Sequence, residues 1–109
     1  MQEHLKFYIN GEWVDPATPK TLDVINPTTE EPFATISMGS AADVDKAVAA
    51  ATAAFESFST TSVAERVELF GAILGEYGKR YDEIAAAIST EMGAPIWLSK
   101  AAQAATGQA

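Results

Sequence analysis

The chain has 109 residues, with 15 Asp and Glu against 7 Lys and Arg, one His, no Cys and a formal net charge of -8. That length is one small domain or a piece of a larger one, and 48% hydrophobic residues supply enough apolar surface for folding. The acidic balance excludes nucleic acid and anionic membranes as partners, because phosphate binding needs clustered Lys and Arg. Without cysteine the chain itself can hold no disulfide, zinc–thiolate site or thiol nucleophile. It shows no charged-then-apolar leader and no apolar run near the ~18 residues of a membrane span, so a cytoplasmic setting is expected.

Composition changes character near position 38. Residues 1–37 hold all but one of the prolines, both asparagines and much of the β-branched content. This part reads as a β-hairpin and meander arm. Phe7-Tyr8-Ile9 and Glu12-Trp13-Val14 flank Asn10-Gly11, a pair that supplies the two positive-φ positions of a tight hairpin turn. Pro16 and Pro19 prevent ladder pairing, so 15–20 reads as a loop. Leu22-Asp23-Val24-Ile25 reads as a short strand stopped by Asn26-Pro27, and Phe33-Ala34-Thr35-Ile36 as another ending before Gly39. So few apolar positions per strand leave such a meander marginal without a helix to cover it.

Residues 38–109 read as helical, and the two parts together form one partial domain of α+β class. Ser40 with Asp43 resembles a capping box, in which each side chain satisfies a free backbone amide of the first turn. Behind it Val44, Val48, Ala51, Phe55 and Phe58 share one face, predicting a helix over 40–58. Ser62 with Glu65 repeats the box and opens a longer stripe: Val63, Val67, Phe70, Leu74, Tyr77, Tyr81, Ile84, Ile88 and Met92. Gly93-Ala94-Pro95 stops it, with glycine as the C-terminal cap and proline as the breaker. One unbroken helix over 62–92 would reach about 45 Å, against a diameter of roughly 34 Å for a compact chain of this length. The glycines at 71, 75 and 78 weaken it, so a break is placed near 78–80. A third, weakly patterned helix is expected over 96–106.

Catalytic constellations fail by elimination. His4, the single histidine, lies in a terminal segment expected to fray, which leaves no nucleophile–base pair. Glu30-Glu31 and Asp82-Glu83 are adjacent carboxylates of the kind normally solvated, and acidic residues at helix starts are already favoured by the dipole. Gly71, Gly75 and Gly78 sit inside a helical pattern, not between a strand and a helix, so they form no phosphate cradle. They read as close helix packing or as simple helix weakening. The aromatic residues recur at core spacings.

The run Phe7-Tyr8-Ile9-Asn10-Gly11-Glu12-Trp13-Val14 resembles the opening of the aldehyde dehydrogenase superfamily. The likeness continues through Val24-Ile25-Asn26-Pro27-Thr28-Thr29-Glu30-Glu31, Ser40-Ala41-Ala42-Asp43-Val44-Asp45-Lys46-Ala47-Val48 and Ala54-Phe55. It goes on through Ala64-Glu65-Arg66 to Glu91-Met92-Gly93-Ala94-Pro95. In that order and spacing the motifs cover nearly the whole chain.

The resemblance implies the N-terminal part of an NAD(P)-binding domain, in an enzyme that oxidises an aldehyde to a carboxylate. It places the family's catalytic cysteine, general-base glutamate and nucleotide-binding units outside these residues. The chain alone is therefore expected to have no catalytic residue, no cofactor-binding residue and no cofactor, with NAD or NADP belonging to a full-length parent. The resemblance also implies part of a structural monovalent-cation site, from the backbone carbonyls of Val24 and Ile25 and the carboxylate of Glu91. Phe58 stands where the family commonly has tryptophan, Thr60 and Thr61 replace a usual basic residue, and the three helical glycines replace helix formers.

Two functional readings follow. The first is an N-terminal fragment or truncated relative of an aldehyde dehydrogenase. The second is an autonomous, self-associating interaction module. Under either, exposed helix faces predict a homo-oligomer, with a full-length dehydrogenase subunit as a further partner.

Overall fold

The computed structural model describes residues 1–109 and is of mixed α+β class, with strands preceding helices. The strands are β1 (Gln2–His4), β2 (Phe7–Ile9), β3 (Glu12–Val14), β4 (Thr21–Asn26) and β5 (Glu31–Ser37). The helices are α1 (Ala41–Phe58), α2 (Val63–Lys79) and α3 (Tyr81–Met92). A C-terminal helical run follows, made of α4 (Ile96–Leu98), a π turn (Ser99–Gln103) and α5 (Ala104–Thr106). Contacts divide the chain into two units, Met1–Ile25 with Pro32–Thr61, and Asn26–Glu31 with Ser62–Ala109.

In the first unit β2 and β3 form an antiparallel hairpin, with Tyr8 opposite Trp13. Their rings lie 5.2 Å apart at 59°, a tilted cross-strand aromatic pair. The turn works as the residue types require, because Asn10 and Gly11 take φ of 56° and 80°. The other strands form a sheet in the order β1-β5-β4. The segment expected to fray is thus held at a sheet edge: β1 runs parallel to β5, with Gln2, Glu3 and His4 opposite Ala34, Thr35 and Ile36. Backbone hydrogen bonding orders these polar residues although no β pattern marks them. The Ser37 hydroxyl donates to the Leu5 carbonyl at 2.7 Å, closing the end of that pairing.

Helix α1 begins at a reciprocal capping box. The Asp43 carboxylate accepts from the Ser40 amide and hydroxyl, both at 2.9 Å, while the Asp43 amide donates to the Ser40 hydroxyl oxygen at 3.4 Å. Its other oxygen accepts from the Ala17 amide at 2.9 Å. Asp43 is therefore buried, and it anchors the proline loop as well as the helix start. α1 packs on β2.

In the second unit α2 opens with the matching box, Ser62 amide to Glu65 carboxylate at 2.6 Å and Glu65 amide to Ser62 hydroxyl at 3.2 Å. α2 ends at Lys79 and α3 starts at Tyr81, with Arg80 between them at φ -104° and ψ 10°. Gly93 caps α3 in the left-handed region at φ 74°. The C-terminal run packs on α3 through small residues, and Ala85, Ser99 and Ala104 are completely buried. Two tyrosines one turn apart tie it down: the Tyr77 hydroxyl donates to the Ala104 carbonyl at 2.7 Å, and that of Tyr81 to the Lys100 carbonyl. The rings meet edge-on at 6.4 Å.

A Cβ built on Gly71 or Gly75 meets nothing within 4 Å, so within this chain neither glycine marks a close helix approach, and each lowers the helix propensity of α2.

Candidate functional site

The structure offers three kinds of place for chemistry, and each is built from local rules already described. Near the end of β4, where Pro27 terminates the strand, stand Val24 and Ile25. Glu91 occupies the last turn of α3 and is exposed. The carbonyl pair belongs to the first unit and the carboxylate to the second. No group of three or more His, Cys, Asp and Glu side chains gathers anywhere to hold a metal ion.

The second place is the carboxylates. Asp43 is buried, and its carboxylate accepts three hydrogen bonds, two from Ser40 and one from the Ala17 amide. The Ser40 amide first, then the Ala17 amide, hold its carboxyl below the ordinary aspartate value. The Ser62 amide and then its hydroxyl do the same for Glu65. In both cases the hydrogen bonds of the cap favour the ionised form. Asp82 is taken by Lys100 at 3.1 Å, and Glu30 stands exposed in the turn after β4 with φ of 60°. His4 is exposed on the sheet edge.

The third place is the grooves. One of about 420 Å³ lies between β2 and the start of α1, lined by Phe7, Tyr8, Ile9, Gly39, Val44 and Ala47 with Lys6 and Asp43. Another, of about 370 Å³, runs from the hairpin turn along Ala47, Ala50, Ala51 and Ala54. Both are open and apolar, and neither gathers convergent polar groups that would orient a substrate.

A buried polar cluster escapes sequence reasoning. The Ser99 hydroxyl lies 2.9 Å from that of Ser89 and donates to the Gln103 side-chain oxygen at 3.2 Å. No buried side-chain polar atom lacks a partner, so this cluster is structural. Ser99 and Gln103 are four apart, but only the packing of the run on α3 brings Ser89 to them.

What the structure mainly presents is apolar surface. On α1, Val44, Val48, Phe55 and Phe58 are half or more exposed. On α2 the same holds for Val63, Val67, Phe70 and Ile73, with Leu69 and Leu74 close behind. The buried apolar side chains are the alanines at 34, 85 and 104. No helix is long and apolar enough to cross a membrane.

A protein of Staphylococcus aureus (strain bovine RF122 / ET3-1) is 49% identical over 100 residues, which are 92% of this chain and 21% of that protein. The crystal structure of an aldehyde dehydrogenase from Bartonella henselae matches with a TM-score of 0.97 and 52% identity, over 99% of this chain and 23% of that one. Aldehyde dehydrogenase C from Pseudomonas syringae, solved as a mutant with NAD+ and octanal, matches with a TM-score of 0.92 and 48% identity, over 94% and 21%. The chain thus spans about a fifth of the length of the relatives it matches. The model of the aldehyde dehydrogenase family matches residues 13–108, and the chain belongs to that family.

Proposed function

We propose that this chain is the N-terminal structural segment of an NAD(P)-dependent aldehyde dehydrogenase and has no catalytic activity by itself. The parent reaction oxidises an aldehyde to a carboxylate. The observation that carries the reading is the pairing of near-complete superposition with missing cover. Nearly all of this chain overlays less than a quarter of a solved dehydrogenase, while its large helical side chains stand in solvent. The family's chemistry starts with a cysteine thiolate adding to the aldehyde carbonyl, and this sequence has no cysteine. Neither of the two grooves beside β2 and α1 presents the glycine-rich strand-to-helix turn that cradles a dinucleotide pyrophosphate.

NAD or NADP belongs, in this reading, to the parent enzyme, and the setting is cytoplasmic. The carbonyls of Val24 and Ile25 and the carboxylate of Glu91 are part of the parent's monovalent-cation site. Their oxygens suit a hard cation, and the remaining ligands come from outside this chain.

Calorimetric titration of the isolated chain with NAD+ and with NADP+ tests the proposal. It predicts no heat of binding, and micromolar affinity for either nucleotide refutes it. The second reading, a self-associating module, draws on the exposed stripes of α1 and α2. It predicts a dimer or larger species by light scattering at micromolar concentration.

A further inference from the structure

The sequence holds two asparagines, and the residue after each gives them opposite chemistry. Asn26 precedes Pro27, whose nitrogen carries no hydrogen, and its side-chain oxygen accepts from the Thr28 amide at 2.9 Å. Asn10 precedes Gly11 at the tip of the β2–β3 hairpin, where both residues are exposed. The ladder closes between Ile9 and Glu12, so the Gly11 amide lies outside the strand pairing. Gly11 has no Cβ, and even an added one would meet nothing within 4 Å. A backbone nitrogen with a removable proton thus stands unshielded beside an exposed side-chain amide.

The two groups are covalent neighbours, so a reaction between them is intramolecular and closes a small ring. The turn holds their backbones at φ of 56° and 80°, and this fixed geometry lasts only while the hairpin does. Each strand has three residues, a length at which a hairpin is marginal by itself. A loop tip also belongs to the low-stability end of a fold, so it opens without the rest of the chain unfolding.

From this placement we infer that Asn10–Gly11 is a self-modification site, at which the chain converts Asn10 to isoaspartate and unties its own hairpin. The Gly11 nitrogen attacks Asn10 Cγ. An N–Cγ bond forms, the Cγ–Nδ2 bond breaks, and ammonia leaves with the amide proton. Water then opens the cyclic imide at either carbonyl. Hydrolysis of the new bond gives aspartate on the original backbone; hydrolysis of the old peptide bond gives isoaspartate, whose main chain runs through Cβ and Cγ. Water enters, ammonia leaves, and nothing is oxidised or reduced. Aspartate suits the same positive-φ turn, but isoaspartate adds a carbon to the main chain and destroys the two-residue loop that sets strand register. The Tyr8–Trp13 ring pair and the packing of α1 on β2 rest on that register.

Incubation of the full chain at mildly alkaline pH and body temperature tests the inference. Peptide mass spectrometry should show nitrogen replaced by oxygen at Asn10 and not at Asn26. An isoaspartyl methyltransferase, used as the probe, should label the peptide that bears Asn10. Conversion should run within about 30-fold of its rate in the guanidinium-unfolded chain, which is an opening cost of at most about 2 kcal/mol. Amides of β2 and β3 should lose exchange protection in step with the label. Asn10→Gly keeps two residues that accept positive φ, and should keep the protection while abolishing the label. Freshly purified Asn10→Asp adds the charge without lengthening the backbone, and should keep the protection too. Conversion slower than that bound, or aspartate as the sole product, overturns the inference. So does full protection in the labelled chain, or an equal loss of protection in Asn10→Asp, which would assign the effect to charge.

Discussion

Replacing Tyr77 by Phe removes a single oxygen and probes how the C-terminal run is held. The Tyr77 hydroxyl donates to the carbonyl of Ala104, a residue with no exposed surface. Without it that carbonyl is left to a long 3.3 Å bond from the Gly107 amide. The ring stays, so apolar packing is nearly unchanged. The cost is one net hydrogen bond plus an under-satisfied buried acceptor, about 1–2 kcal/mol. An opening free energy lowered by that amount raises the population of the opened helical run about 5–30-fold. Amide hydrogen exchange measures it directly: amides of Ser99–Thr106 should exchange faster by that factor, while those of α1 keep their rates. A change under about twofold, or an equal acceleration in α1, would refute the reasoning, because the effect must be confined to the tied segment. Gly107→Ala should act in the same direction. A Cβ there falls on the Tyr77 hydroxyl and 2.5 Å from its Cζ, so the ring has to leave.

Three further outcomes are expected. Both capping carboxylates have depressed pKa values, so their stabilisation is fully present above the ordinary carboxylate range of about 4 and is lost as pH falls through the folded-state values. Urea midpoints followed by circular dichroism should therefore fall between pH 5 and pH 3 by less in the Asp43→Asn, Glu65→Gln double variant than in the parent chain; equal falls would contradict the assignment. Gly93→Ala forces a side chain into the left-handed region with its Cβ 3.2 Å from Pro27 Cγ, and should cost about 1–2 kcal/mol in urea unfolding. Gly75→Ala fills open space in the middle of α2 and should stabilise the helix by about 0.5–1 kcal/mol, read as an increase in protection of its amides.

Local structure was legible because its causes lie within a few residues of one another. Asn10-Gly11 carries its own turn, Ser40 and Ser62 find their acidic partners three residues on, and Gly93 ends a helix through its own φ. The Arg80 junction is a similar case, since three glycines and a length limit point to its neighbourhood while only the backbone angles fix the residue. The apolar stripes of α1 and α2 were legible in the same way, as helical periodicity, and their large side chains stand exposed. The candidate cation ligands, by contrast, came from motif resemblance and from no feature of the residues themselves.

The sequence by itself determined where the hairpin turns, where α1 and α2 start, where α3 stops, and which faces are apolar. These are governed by short-range hydrogen bonding, φ preference and helical periodicity. Only the tertiary structure decided that Gln2–His4 pairs parallel with a strand more than thirty residues away. It also decided that Asp43 anchors a loop as well as a helix, and that Tyr81 ties down the π turn and Tyr77 the start of α5 beyond it. Such contacts follow from which surfaces meet after long chain segments close on one another, and no window of neighbouring residues contains that information.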